Sequence, residues 1–296
     1  MSTPQRPLVY GHRGARGVLP ENTMESFRWL RAQGIAGVEI DVQLSADGVP
    51  VIIHDPLMPA QLARDAKGRW LQAPGPKIID LTLAELRRYD LGRLNPDHPY
   101  GARYPDQQPA DGACIPTLAE FLGWAQEDPA LTLNIEIKSF ADRAGLGAAP
   151  AHLAEAVAGE IAARGLANPL VISSFDWRVL SALRGIAPEL PRGYLTLEVT
   201  EEANIFPASP WMDGAALRLN DTELPRIIAD LGGKFWCPFH RDLSAARVSA
   251  AQALGLGVNA WTVNDPDDIA RMMAMGVDGI ITDYPQRAVA MASRRN

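Results

Sequence analysis

The sequence predicts an α/β protein, a (β/α)8 TIM barrel with an insertion after the second strand. Three observations predict it. Short β-rich apolar runs alternate with helical patterns, which is the signature of a parallel sheet. The runs count to eight once the one at 49–54 is taken as a hairpin return. A chain of 296 residues suits one barrel of about 250 residues plus an extra segment.

The first run, at 8–11, leads directly into Gly11-His12-Arg13-Gly14. A helical pattern from Thr23 to Gln33 follows, for which Asn22 and Glu25 form an N-cap and N3 pair and Gly34 supplies the stop. The second strand covers 37–44, and Asp47-Gly48 turns the chain into the hairpin return. Residues 56–116 are rich in Pro and Gly and far exceed the roughly two to six residues of a βα loop. They read as an insertion capping the catalytic face, with one helix from Leu83 to Arg88. Further strands are expected at 131–137, 170–175, 192–198, 234–239, 257–264 and 279–283. Helical patterns run from His152 to Arg164, Asp176 to Arg184, Ser244 to Leu254, Pro266 to Met275 and Pro285 to Ser293. The segment at 215–219 competes for a strand position, and residues 1–296 read as one domain.

Composition narrows the function classes. A hydrophobic share of 47% with 21% charged residues is that of a globular protein and excludes wholesale disorder. A formal charge of −7 argues against a nucleic-acid binder, which needs a basic face, so any positive charge toward an anionic substrate must be local. No stretch approaches the ~20 apolar residues of a membrane span. Cys114 and Cys237 lie far apart, with no metal-type or redox-type spacing. The first apolar segment starts at Leu8 and leaves no room for a signal peptide, so a cytoplasmic location is expected.

Side chains two apart on a strand share a face, so Glu39 and Asp41 project together while Val38, Ile40 and Val42 face the helices. The same parity turns Asn134, Glu136 and Lys138 inward and Leu133, Ile135 and Ile137 outward. Burying ionised carboxylates is costly without a counter-charge, and three of them from neighbouring strands make the oxygen-rich site that Mg²⁺ or Ca²⁺ demands. The bland alternative is ion pairing with Arg13 or Lys138. Against it, His12, Arg13, Glu39, Asp41, His54 and Lys138 all cluster at strand ends, where barrel enzymes place catalytic groups. An imidazole with a pKa near 6.5 donates or accepts a proton at neutral pH. Phosphodiester cleavage needs both acts, together with a metal and cations such as Arg13 and Lys138 to offset phosphoryl charge. His98, His152 and His240 read as structural.

The run GHRGARGVLPENTMESFRWLRAQGIAGVEIDVQLSADGVPVIIHDP resembles the N-terminal signature of the glycerophosphodiester phosphodiesterases. NIEIK, AWTVND and GVDGIITDYP match the same family in order, whereas about 56–130 and 185–235 match it loosely. The resemblance implies that His12 and His54 are the acid–base pair, that Glu39, Asp41 and Glu136 bind one divalent cation, and that Arg13 and Lys138 contact phosphate. It also implies that Trp261 lines the site. Glu21 and Asp283 are marked in the family pattern too, although Asp283 has a simpler reading as the anchor of the Tyr284-Pro285 turn. The implied reaction is hydrolysis of small-molecule glycerophosphodiesters to sn-glycerol 3-phosphate and an alcohol, through either a cyclic phosphate or direct attack by water. Two rivals remain: a phospholipase D or lysophospholipase D activity on the same barrel, and a non-catalytic phosphate-ester-binding barrel. The first needs an apolar entry surface on the insertion, and the second needs a lost histidine or metal ligand.

Overall fold

The computed structural model describes residues 6–215 and 223–294. Eight parallel strands close into a barrel with helices between them. They are β1 (Leu8–Gly11), β2 (Gly37–Leu44), β4 (Thr132–Ile137), β5 (Leu170–Ser174), β6 (Arg192–Thr196), β7 (Phe235–Pro238), β8 (Gly257–Ala260) and β9 (Gly279–Thr282). Closure is direct, because β1 pairs with both β9 and β2. The expected hairpin return is β3 (Pro50–Ile52), antiparallel to β2 with Val42 opposite Ile52. The competing segment at 215–219 lies, from 216 onward, outside the described residues.

Strand parity decides the layers. Val38, Ile40 and Val42 from β2 and Leu133, Ile135 and Ile137 from β4 pack outward in one apolar cluster. Helices α1 (Met24–Ala32), α3 (Leu118–Ala125) and α4 (Pro150–Arg164) complete it with Phe27, Leu30, Phe121 and Val157. A second cluster joins β6 to β9 with α5 (Trp177–Ile186), α6 (Glu223–Asp230), α7 (Ala245–Ala253), α8 (Pro266–Met275) and α9 (Pro285–Ser293). Each fully buried Leu, Ile or Phe contributes about 1.5–3 kcal/mol, so the outer layer dominates stability and leaves the inner face free for polar groups. Residues after β3 build a smaller core of their own, in which Met58, Leu62, Ile78 and Leu86 pack beneath Val51 and Ile53. The helix expected there is the single turn α2 (Leu83–Leu86), closed by a Thr82–Glu85 capping box. Among the described residues no helix is long and apolar enough to cross a membrane.

The start of α1 corrects one expectation. Thr23, not Asn22, caps the helix, its side chain accepting from the Ser26 N–H. An N-cap needs extended backbone, which Thr23 has at φ −115°, whereas Asn22 is left-handed at φ 55° and sends its amide elsewhere. Two helices were also not anticipated. In α3 the buried Leu118, Phe121, Leu122 and Ala125 fall at helical spacing and the Thr117–Glu120 capping box is a readable start signal, so this short helix was legible beside the Pro- and Gly-rich stretch that precedes it. The eight-residue α6 carries Pro225 in its first turn, where proline is tolerated but weakens the helical pattern.

Candidate active site

The C-terminal end of β1 delivers His12 and Arg13 through a turn that only glycine fits. A Cβ on Gly11 would lie 1.9 Å from the Gly14 carbonyl oxygen, and one on Gly14 (φ +89°) would lie 2.4 Å from Ser26 Oγ. The turn folds the Arg13 N–H back onto Glu39 Oε2 at 2.8 Å.

Parallel registration of β2 on β4 sets Glu39 opposite Asn134 and Asp41 opposite Glu136. Glu39, Asp41 and Glu136 are all buried, and each offers a carboxylate oxygen within 4.8 Å of the others. Part of their charge is met by ion pairs, as the bland reading required: Arg13 Nε lies 3.1 Å from Asp41, and Lys138 Nζ lies 2.6 Å from Glu136 and 3.6 Å from Asp41. Asn22 donates to Asp41 Oδ2 at 2.9 Å. The pairs leave two buried oxygens without a hydrogen bond, Glu39 Oε1 and Asp41 Oδ1, although a buried acceptor is normally satisfied. Three hard carboxylates facing two cations, with spare oxygens inward, fit a divalent metal site.

The electrostatics agree. Burial, then Asp41 and Glu136, push the Glu39 carboxyl well above the usual carboxylate range. Burial also works to raise Asp41, but Arg13, His54, Lys138 and the Asn22 hydrogen bond outweigh it and hold that group far below the range. Burial also raises the Glu136 carboxyl, so burial first and neighbouring charge second disfavour ionisation of Glu39 and Glu136, the condition a divalent cation relieves.

Both histidines are held by carboxylates. His12 Nδ1 lies 2.7 Å from Asp283 Oδ1, and its Nε2 lies 3.8 Å from Glu39 Oε2. Burial, reinforced by Arg16, pushes its pKa down to about 4, so the ring is neutral at physiological pH. His54 Nδ1 lies 2.7 Å from Asp55 Oδ1, and burial with the charges of Arg13 and Lys138 lowers its pKa as well. Gln43, on the same β2 face as Glu39 and Asp41, donates to the carbonyls of Ile53, His54 and Asp55 and fixes the hairpin end.

His12, Glu39, His54, Glu136, Lys138 and Trp261 line one cleft of about 1060 Å³ at the C-terminal ends of the strands. Arg13 lines it too, and Asp41 lies behind it. All eight residues singled out in the sequence therefore meet in one place. Trp261 follows β8, donates from Nε1 to the Cys237 carbonyl at 2.8 Å and stacks edge-on against Phe175 with centroids 5.2 Å apart. Asp283 is more than a turn anchor, since it accepts from Arg16 at 2.9 and 3.0 Å and from Asn264 at 2.7 Å while holding His12. The roles of Asn22, Gln43, Asp55 and Arg16 were not anticipated. For Asp55 the signal was its place next to His54, and for Gln43 its parity with Glu39. His240 pairs with Asp268 at 3.6 Å away from the cleft, and His98 takes a backbone N–H, as structural histidines do. Cys114 and Cys237 are free thiols.

A closed (β/α)8 barrel carrying a buried acidic trio beside two carboxylate-held imidazoles has the groups that metal-assisted hydrolysis of a phosphate ester requires. The model of the glycerophosphoryl diester phosphodiesterase family matches residues 12–287. The chain belongs to that family and is an enzyme. A glycerophosphodiester phosphodiesterase of Caldanaerobacter subterraneus is 29% identical over 98% of this chain and 99% of its own. A solved structure from Silicibacter pomeroyi DSS-3 carrying the same family description is 37% identical, with a TM-score of 0.86 over 99% of this chain and 95% of that one. A phosphodiesterase from Oleispira antarctica, solved in complex with its product sn-glycerol-3-phosphate, is 27% identical with a TM-score of 0.70 over 97% of both chains.

Proposed function

We propose that this chain hydrolyses glycerophosphodiesters to sn-glycerol 3-phosphate and an alcohol, with one divalent cation held by Glu39, Asp41 and Glu136 and with His12 and His54 as the acid–base pair. The observation that carries the reading is the convergence of three buried carboxylates, two of them with unused oxygens, and two carboxylate-held imidazoles on a single cleft. A bound Mg²⁺ or Ca²⁺ would neutralise phosphoryl charge as a Lewis acid. Asp283 and Asp55 take the Nδ1–H of each ring, which leaves each Nε2 to accept or return a proton. Arg13 and Lys138 supply the local positive charge that an acidic protein must concentrate to hold an anion. Trp261 and Phe175 form an apolar wall that screens these charges from water. The insertion at 56–116 caps this face in the proposal, its Pro56, Gln61, Pro74 and Arg103 lining the same cleft.

His12→Ala and His54→Ala test the reading. General acid–base groups contribute about 10²–10⁴ in rate, and both variants should lose that much on glycerophosphocholine while still binding metal. On a p-nitrophenyl diester, whose leaving group departs unaided, the variant lacking the acid should recover and the other should not. Near wild-type rates in both variants on the natural diester would remove the two-histidine mechanism.

A further inference from the structure

The insertion sends two tyrosines toward the proposed site: the Tyr104 hydroxyl donates to Asp283 Oδ2 at 3.2 Å, and Tyr100 reaches between two arginines. Tyr100 opens a 3-10 turn (Gly101–Arg103), and its ring packs edge-on against Tyr104 at 5.5 Å and under the Arg103 guanidinium. The following residues are pinned to the first βα segment, with Gln107 donating to the Arg16 carbonyl at 2.7 Å and the Gln108 N–H to the Val18 carbonyl at 2.8 Å. The Tyr100 hydroxyl donates to Glu21 Oε2 and accepts from Arg16 Nη1 at 3.2 Å. Glu21 Oε1 in turn accepts from Arg13 Nη1 at 2.6 Å. Arg16 grips Asp283, which holds His12.

These bonds form a continuous chain from Arg13 through Glu21, Tyr100, Arg16 and Asp283 to His12. Tyr100 is its one member from outside the strand-end segments, and it joins the half that aims the phosphate-facing arginine to the half that aims the imidazole. It also bridges two arginines of like charge by donating a hydrogen bond to one's carboxylate partner and accepting one from the other. Burial, together with the charge of Glu21, pushes the phenol far above its usual range, so the hydroxyl stays a donor throughout the working pH range.

We propose that Tyr100 is a positioning residue, through which the insertion holds Arg13 and His12 in register for a phosphate group. The inference rests on the proposed reaction for its effect on turnover but not for its effect on phosphate binding.

Tyr100→Phe keeps the ring and removes only the hydroxyl. Outer partners of site residues typically contribute about 10- to 100-fold. Calorimetry with inorganic phosphate and Mg²⁺ should therefore show affinity weakened by about tenfold. The kcat/KM for glycerophosphocholine, glycerophosphoethanolamine and glycerophosphoglycerol should fall by a common factor. In a Glu21→Gln background the same change should add almost nothing, because the chain is already broken there. Phosphate affinity that stays at the wild-type value, or is undetectable in the wild type, overturns the proposal. So does a loss confined to one head group, or full additivity with Glu21→Gln. If phosphate binding responds as stated but the wild type cleaves none of the three diesters, the assigned reaction falls and the role of Tyr100 stands. If the wild type cleaves them and Tyr100→Phe matches it, the reverse holds.

Discussion

His12, proposed as one of the acid–base pair, shows how much of a side chain's behaviour is set by partners remote in sequence. Asp283, 271 residues away, fixes its tautomer, while burial and Arg16 keep it neutral. Strand parity and the family motif were enough to predict that His12, Glu39, Asp41, Glu136 and Lys138 come together, since those signals are local. The family pattern marked Glu21 and Asp283 as well, but their partners were not legible, because no spacing relates Asp283 to His12 or Tyr100 to Glu21 until the barrel closes. The pKa of His12 has a consequence for stability. Its folded value of about 4 lies below the unfolded value of 6.5, so as pH falls from 6.5 toward 4 the unfolded chain takes up a proton that the folded chain refuses. Stability should drop over that window, by up to about 3 kcal/mol from this residue. Urea unfolding at pH 7 and pH 5 should show a shallower fall for His12→Ala than for wild type, and equal slopes would contradict the assigned environment.

Among the elements, the entry to α1 separates folding from function within two adjacent residues. Asn22 and Thr23 are both good capping types, and sequence pattern alone does not say which adopts the extended backbone a cap requires. The structure gives the cap to Thr23 and gives Asn22 to Asp41. Thr23→Ala should therefore cost about 1 kcal/mol in denaturant midpoint with little change in metal affinity. Asn22→Ala should instead weaken metal binding about 10- to 100-fold, because it frees a carboxylate of the proposed metal site. If Asn22→Ala loses only stability and Thr23→Ala loses metal, the two roles are reversed. The hairpin return and the start of the 56–116 segment were readable because turn residues and long Pro- and Gly-rich stretches are strong signals. The small apolar core of that segment was not, since Met58, Leu86 and Leu91 meet only after the chain folds back on β3.

For the whole molecule, closure of the barrel gathers cationic and acidic side chains of a protein of net charge −7 into one cleft. Arg13, Arg16 and Lys138 converge on the cleft, and the acidic trio among them is compatible with a divalent cation. Stripping the metal should lower the melting temperature, because Glu39, Asp41 and Glu136 then repel one another across a buried site. Eight strands in the right order were foreseeable from alternating apolar runs, and β3 from its turn. The measurement that bears most directly on the proposed reaction is release of sn-glycerol 3-phosphate from glycerophosphocholine, glycerophosphoethanolamine and glycerophosphoglycerol, with and without EDTA. Release from at least one diester, abolished by EDTA and restored by Mg²⁺ or Ca²⁺, is the predicted result. Undiminished release from protein shown by elemental analysis to be metal-free, or no release from any of the three with metal present, would contradict it.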